Sequence, residues 1–214
     1  MRYREELWYG LSVTLRLCAF IWPIGIIIGS LLGISGAKWK LLVGVPTKVA
    51  SFILSGIPVL VLLFWLHYPL QSMLRIVVDP FITAVAALSI VNVLLVADLI
   101  RGVLTDFPAQ YLQAARATGL TSRQTVLNIQ LPLIFRQVLP GLLVIQVGIL
   151  QSTLFASLIS VDEIFRIAQR INSEIYRPVE IYTALAMLFL AVCLPLHGLA
   201  AWLRVRYTRN YSEQ

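Results

Sequence analysis

The length of the apolar runs constrains this chain more than any other feature. Five stretches, about 8–34, 49–68, 81–100, 134–159 and 179–203, each approach or exceed the roughly 20 apolar residues that carry a helix across ~30 Å of hydrocarbon. Inside lipid, backbone N–H and C=O groups must be bonded within the protein, which leaves helices and closed barrels as spanning structures. Runs of this length predict an all-α, multi-pass membrane protein with five transmembrane helices in a single domain, 1–214. With 59% hydrophobic and 13% charged residues, and a mean hydropathy of +0.85, the composition lies far from that of soluble domains. The first run follows Arg2 and Arg4 as a signal peptide would, but it is too long and lacks an Ala-x-Ala cleavage pattern, so it reads as a retained helix.

A net charge of +7 invites a nucleic-acid reading, which would require a basic face on a soluble domain. The basic residues instead fall at the ends of the apolar runs. One set of connections carries Lys38, Lys40, Lys48, Arg101, Arg116, Arg123, Arg136, Arg204, Arg206 and Arg209; the other carries Arg2, Arg4, Arg75, Arg166, Arg170 and Arg177. Cytoplasmic loops hold the excess of Lys and Arg. The amino terminus is therefore expected outside and the carboxyl terminus inside. Arg16, two turns into the first run, reads as a snorkelling residue or, alternatively, a gating one.

Several residues read as packing rather than chemistry. Cys18 and Cys193 stand alone in apolar runs, and His67 and His197 are isolated near run ends, so no metal site is expected. Gly25, Gly29 and Gly33 recur every fourth residue and form a strip for close helix approach, within this chain or in a dimer. Gly56 and Pro58 should kink or unwind the second run, making a bend that could wall a pathway.

Between the third and fourth runs lies a polar, helix-prone island at about 101–133. Thr105 and Asp106 can cap a helix start, with Pro108 in its first turn and Gly119 as a left-handed stop. Thr121 with Gln124 is a capping-box pattern for a second short helix, which Pro132 should break from the following span. Ala114, Ala115 and Ala117 keep the first short helix slim enough to enter a groove; an ordinary loop lying on the headgroups is the alternative.

Gln113-Ala114-Ala115, Gly119, Ile129 and Leu131-Pro132 resemble, at full spacing, the EAA signature of permease subunits of binding-protein-dependent ATP-binding-cassette (ABC) importers. Ala97-Asp98, Ile100-Arg101-Gly102, Phe107-Pro108, Leu139-Pro140, Thr153, Ala156-Ser157, Ile164, Ala168, Arg177-Pro178 and Leu194-Pro195 are similar to the polar amino acid branch of that family. The resemblance implies a type I importer permease fold in a bacterial cytoplasmic (inner) membrane and half of a translocation pathway. It implies a cytoplasmic coupling loop in which Gln113, Ala114, Ala115, Ala117, Gly119, Leu120, Leu131 and Pro132 engage a separate ATP-binding subunit. That partner would hold ATP and Mg, with no cofactor bound by this chain. A second permease, identical or homologous, and an extracytoplasmic solute-binding protein complete the implied set of partners.

The chain also departs from the family pattern. Gln113 replaces the usual Glu, Ser55 an Arg, Leu95 a Tyr, and Gln151-Ser152-Thr153 a Lys-Asp-Thr. Ser55, Asn92, Gln151, Ser152 and Thr153 are left as neutral hydrogen-bonding candidates for the substrate pathway, or as bonds between neighbouring helices. The external segment, about 161–178, mixes Asp162, Glu163, Arg166, Arg170, Glu174 and Arg177 at spacings that suit i to i+4 pairing on an amphipathic turn or two. It would face the binding protein, or simply be a solvated surface helix.

No catalytic residues are expected. The chain lacks a phosphate-binding glycine loop, His-Glu-x-x-His and Gly-x-Ser-x-Gly, and Asp98 beside Arg101 reads as a local ion pair. A stand-alone carrier would tend to show two repeated halves. A permease for a different small solute, or a scaffold that docks an ATPase without transport, remain the alternatives.

Overall fold

The computed structural model describes residues 2–208, so Arg209 lies outside the described residues. Helices follow the apolar runs. Helix α1 (Arg2–Lys38) ends in a π turn at Lys40–Gly44, which leads into α2 (Val45–Ser55), α3 (Val59–His67) and α4 (Pro69–Leu74). Next come α5 (Pro80–Thr105), α6 (Ala109–Ala117) and α7 (Ser122–Thr125). A second π turn, Val126–Gln130, runs into α8 (Leu131–Ser152), which tightens to a 3₁₀ turn over Thr153–Ile159; α9 (Ile164–Ile175) and α10 (Pro178–Thr208) complete the chain.

Among the described residues, four helices are long and apolar enough to span a membrane, and a fifth crossing exists if the bent pair Lys40–Ser55 and Val59–Leu74 counts as one. That pair turns through 96° at Gly56–Pro58. Pro58 has no N–H to continue α2, and its ψ of 135° takes the backbone out of the helix before α3 restarts. The second expected span is thus broken at the predicted place, and more sharply than a kink.

Helix α5 is the axis of the bundle, packing on α1, α3 and α8. The glycine strip of α1 serves this contact and is therefore intramolecular. A Cβ on Gly29 would stand 2.7 Å from the Val93 carbonyl oxygen, and one on Gly33 would stand 2.8 Å from that of Ala97. The small residues let two backbones approach, gaining dispersion contact where lipid supplies no hydrophobic drive. The main cluster joins Leu17, Ile21, Leu63, Ala84, Leu88, Ile149 and Ile159. Cys18 and Cys193 are buried together in a second cluster with Val147 and Leu150. His67 is less isolated than its sequence position suggests. Its Nδ1 lies 3.3 Å from both the Thr83 hydroxyl and the Gln71 amide, and Gln71 in turn accepts from the Val78 N–H, tying α3, α4 and α5 together.

Candidate functional site

The polar island begins where α5 stops. Thr105 folds its hydroxyl back onto the carbonyls of Arg101 and Gly102, closing α5 instead of opening the next helix. Pro108 is the N-cap residue of α6, so the expected cap by Thr105 or Asp106 is not formed. A Schellman motif ends α6: the Gly119 N–H reaches the Arg116 carbonyl at 3.1 Å and the Leu120 N–H reaches that of Ala115, also at 3.1 Å. Gly119 holds the required left-handed backbone at φ +76°. Two residues later the capping box forms as expected, with the Gln124 side chain accepting from the Thr121 N–H at 2.9 Å and Thr121 Oγ1 accepting from the Gln124 N–H.

Pro132 does not break the chain from α8, contrary to the expectation from sequence. The π turn at Val126–Gln130 widens the helix just before it, and the Leu131 N–H bonds the Val126 carbonyl five residues back. A proline ring clashes with the carbonyl four residues earlier in a tight helix; a wider turn moves that carbonyl aside. Helix therefore continues from Ser122 to Ile159.

The island projects its signature residues outward. Gln113, Ala114, Ala117, Gly119, Leu131 and Pro132 are exposed, Leu120 is half-buried, and Ala115 is buried at 2% exposure. The slim alanine face is thus open on two of its three alanines.

A charged clamp sits at the base of the island. Asp98 pairs with Arg101 one turn along α5 and also accepts from the Ser51 hydroxyl of α2. Arg101 Nη1 donates to Thr47 Oγ1 at 3.0 Å and to the Gly44 carbonyl at 3.4 Å. The local ion pair read from sequence is therefore one half of a bridge between α5 and the start of the bent span. The bridge closes over a tight backbone crossing, where a Cβ on Gly44 would lie 2.5 Å from the Gly36 carbonyl oxygen.

Among the described residues, the hydrogen bonds of Ser55, Asn92, Ser152 and Thr153 join none of the five pathway candidates to another. Asn92 is fully buried; its amide donates to the Ile21 carbonyl at 3.2 Å and exchanges two 3.1 Å bonds with Gln146. It also fills the space that a side chain on Gly25 would need. This reciprocal pair clamps α1, α5 and α8. Ser55 bonds the Phe52 carbonyl, Ser152 that of Gly148 and Thr153 that of Leu150, each at 2.7–2.8 Å within its own helix. Gln151 and Ser55 are exposed, while Thr153 is buried. Gln146 escaped the sequence reading; the signal available was an amide alone in an apolar run, which in lipid has to find a partner.

On the opposite end, α9 buries Ile164, Ile167, Ala168 and Ile171. Asp162 and Arg166 form the expected i, i+4 pair at 3.0 Å, and Arg170 lies 3.8 Å from Glu6 of α1. Glu163 departs from the pairing pattern: it is buried and caps α9, accepting from the N–H groups of Phe165 and Arg166 at 2.9 and 2.8 Å. Burial pushes its carboxyl up to about 7, with those two N–H bonds and the Arg166 charge opposing.

The family model for a binding-protein-dependent transport system inner membrane component matches residues 25–209. The octopine transport system permease protein OccM of Rhizobium meliloti is 29% identical over 191 residues, covering 86% of this chain and 78% of that protein. The histidine/lysine/arginine/ornithine transport system permease protein HisQ of Salmonella typhimurium is 25% identical over 213 residues, covering 93% and 92%. A crystal structure of an amino acid ABC transporter with histidines superposes at a TM-score of 0.80, with 25% identity over 96% of this chain and 95% of that one. The MetNI methionine ABC transporter in an inward-facing conformation shares the fold at a TM-score of 0.68 over 92% and 96%. With the signature, the broken span and the projecting hairpin in agreement, the chain belongs to the family of binding-protein-dependent transport system inner membrane components.

Proposed function

We propose that this chain forms half of the translocation pathway of an ABC importer for polar amino acids or related small solutes, with α6 and α7 docking a separate ATP-hydrolysing subunit that holds ATP and Mg²⁺. A second permease subunit, identical or homologous, completes the pore, and a solute-binding protein delivers to the α9 end. The α6–α7 end is cytoplasmic, placing the amino terminus outside and the carboxyl terminus inside. The amino acid assignment draws on the relatives, whose names concern octopine and basic amino acids.

The observation that carries this reading is mechanical. The turn between α6 and α7 is closed by a Schellman motif and a capping box, and α7 continues through the π turn into α8 without a flexible joint. On its other side the hairpin follows α5, which the Asp98–Arg101 clamp ties to α2 and so to the 96° bend. A push on the hairpin therefore reaches both α8 and the broken span. Rigid elements with fixed contacts transmit displacement between distant sites, which a flexible loop would absorb.

Extraction in mild detergent tests the partnership: a nucleotide-hydrolysing subunit and a related permease should remain attached, and their absence would reject the assembly. Orientation is tested with Ser122→Cys. Impermeant maleimide should label it in inside-out vesicles and leave it unlabelled in intact cells, where the two native cysteines are buried; labelling from outside would invert the scheme.

A further inference from the structure

At the end of the molecule that carries α6 and α7, α8 and α10 border a half-open cavity of about 350 Å³ lined by Arg136, Trp202, Arg206 and Tyr207. Each guanidinium lies over an aromatic face, Arg136 at 5.9 Å from the Tyr207 ring and Arg206 at 5.0 Å from that of Trp202. Such stacking fixes the plane of a guanidinium while leaving its N–H edge free to donate. Among the described residues no carboxylate lines the cavity and neither arginine has an ion-pair partner. Two oriented, unneutralised forks in one cavity match the non-bridging oxygens of a phosphodiester. The surroundings are apolar: Phe135 is 64% exposed beside Arg136, and Leu199 and Val205 are exposed beside Trp202 on α10.

We propose that this cavity binds the phosphate of an anionic phospholipid, with its acyl chains lying along Phe135, Leu199 and Val205. A site with basic forks, ring-bearing residues at headgroup level and an adjoining greasy face has the chemistry of lipid recognition between spans. A soluble ion would use the arginines and leave that face uncovered. Placing the lipid in the cytoplasmic leaflet rests on the proposed orientation; the binding itself does not.

The test extracts the full-length protein from vesicles of phosphatidylcholine mixed equally with phosphatidylglycerol and counts retained lipid by native mass spectrometry. Wild type should retain phosphatidylglycerol over phosphatidylcholine by about five-fold per arginine, roughly twenty-five-fold for the pair. The Arg136→Gln/Arg206→Gln double variant should lose that preference, and Arg136→Lys/Arg206→Lys, which keeps both charges but loses the stacked forks, should keep only part of it. The lysine pair also keeps the proposal testable if the glutamine pair fails to fold. Equal retention of both lipids by wild type would overturn the proposal. So would displacement of phosphatidylglycerol by inorganic phosphate, which would mark a site for free anions. A glutamine pair that keeps the lipid preference but loses the attached ATPase would reassign the cavity to protein docking and likewise overturn it.

Discussion

On the proposed orientation α9 is the outer helix and α6 and α7 the inner ones; α9 buries Ile164, Ile167, Ala168 and Ile171, whereas α6 and α7 bury Ala115 and Thr125. Both segments are polar insertions flanking α8, but α9 starts from a side-chain cap, Glu163, whereas α6 starts at Pro108 without one. The outer one is keyed into the bundle: Gly10 of α1 brings the α9 backbone close, and the Ile164 N–H donates to the buried Thr14 hydroxyl at 3.3 Å. The inner one is anchored through its two stems, with its small-residue face left open. Holding a segment at its ends suits the proposed docking by another protein, while a segment that forms part of the bundle is held along its length.

Four changes put that contrast to the test. The largest effect on transport is expected for Gly119→Glu, because a side chain in the left-handed position costs about 1–2 kcal/mol, about ten-fold in the population of the docked geometry. Solute uptake should fall by that factor or more while ATP hydrolysis and membrane insertion persist; uptake at the normal rate would remove the docking role. In the outer segment, Gly10→Val should lower the thermal midpoint, since a Cβ there would stand 2.9 Å from Ile164 Cα, and overpacking of this kind costs about 1–3 kcal/mol. An unchanged midpoint would show that α9 is not keyed through α1.

Glu163 gives the outer segment a pH dependence. Its carboxyl is raised from 4.5 to about 7 in the folded protein, so the folded state holds a proton that the unfolded chain releases. Its contribution is fully present below pH 4.5, declines as pH rises to about 7, and is flat above. Glu163→Gln should flatten the melting-temperature profile across that window, and a profile with the wild-type slope would assign the dependence elsewhere. The smallest effect belongs to Thr121→Ala, which removes the capping box at a cost of about 1 kcal/mol. Faster hydrogen exchange at the Gln124 amide, with little change in global melting, is the expected readout.

The spans, the Gly56–Pro58 break and the helical hairpin were legible because each rests on local chemistry: apolar length, a missing N–H, a left-handed glycine, a reciprocal cap. What escaped rests on partners far along the chain. Asn92 reads as a lone polar group until Gln146, 54 residues away, is placed against it. Asp98 reads as the partner of Arg101, yet the residues that make the pair a bridge, Thr47 and Ser51, carry no distinguishing pattern of their own. Glu163 fits a salt-bridge spacing, and only burial turns it into a cap. Pro132 misled for another reason: the rule that proline ends a helix assumes a regular turn before it, and the π turn at Val126–Gln130 supplies a different one.

That same π turn sets an angular register. Adding or removing one residue in a helix rotates everything upstream by about 100°, so the direction in which α7 presents Arg123 and Gln124 is fixed by the count of residues between them and α8. Excising a single residue from 126–130 would swing this arm to another quarter of the compass without altering a side chain on it. The orientation of this arm toward the proposed partner is thus stored in chain length as much as in chemistry.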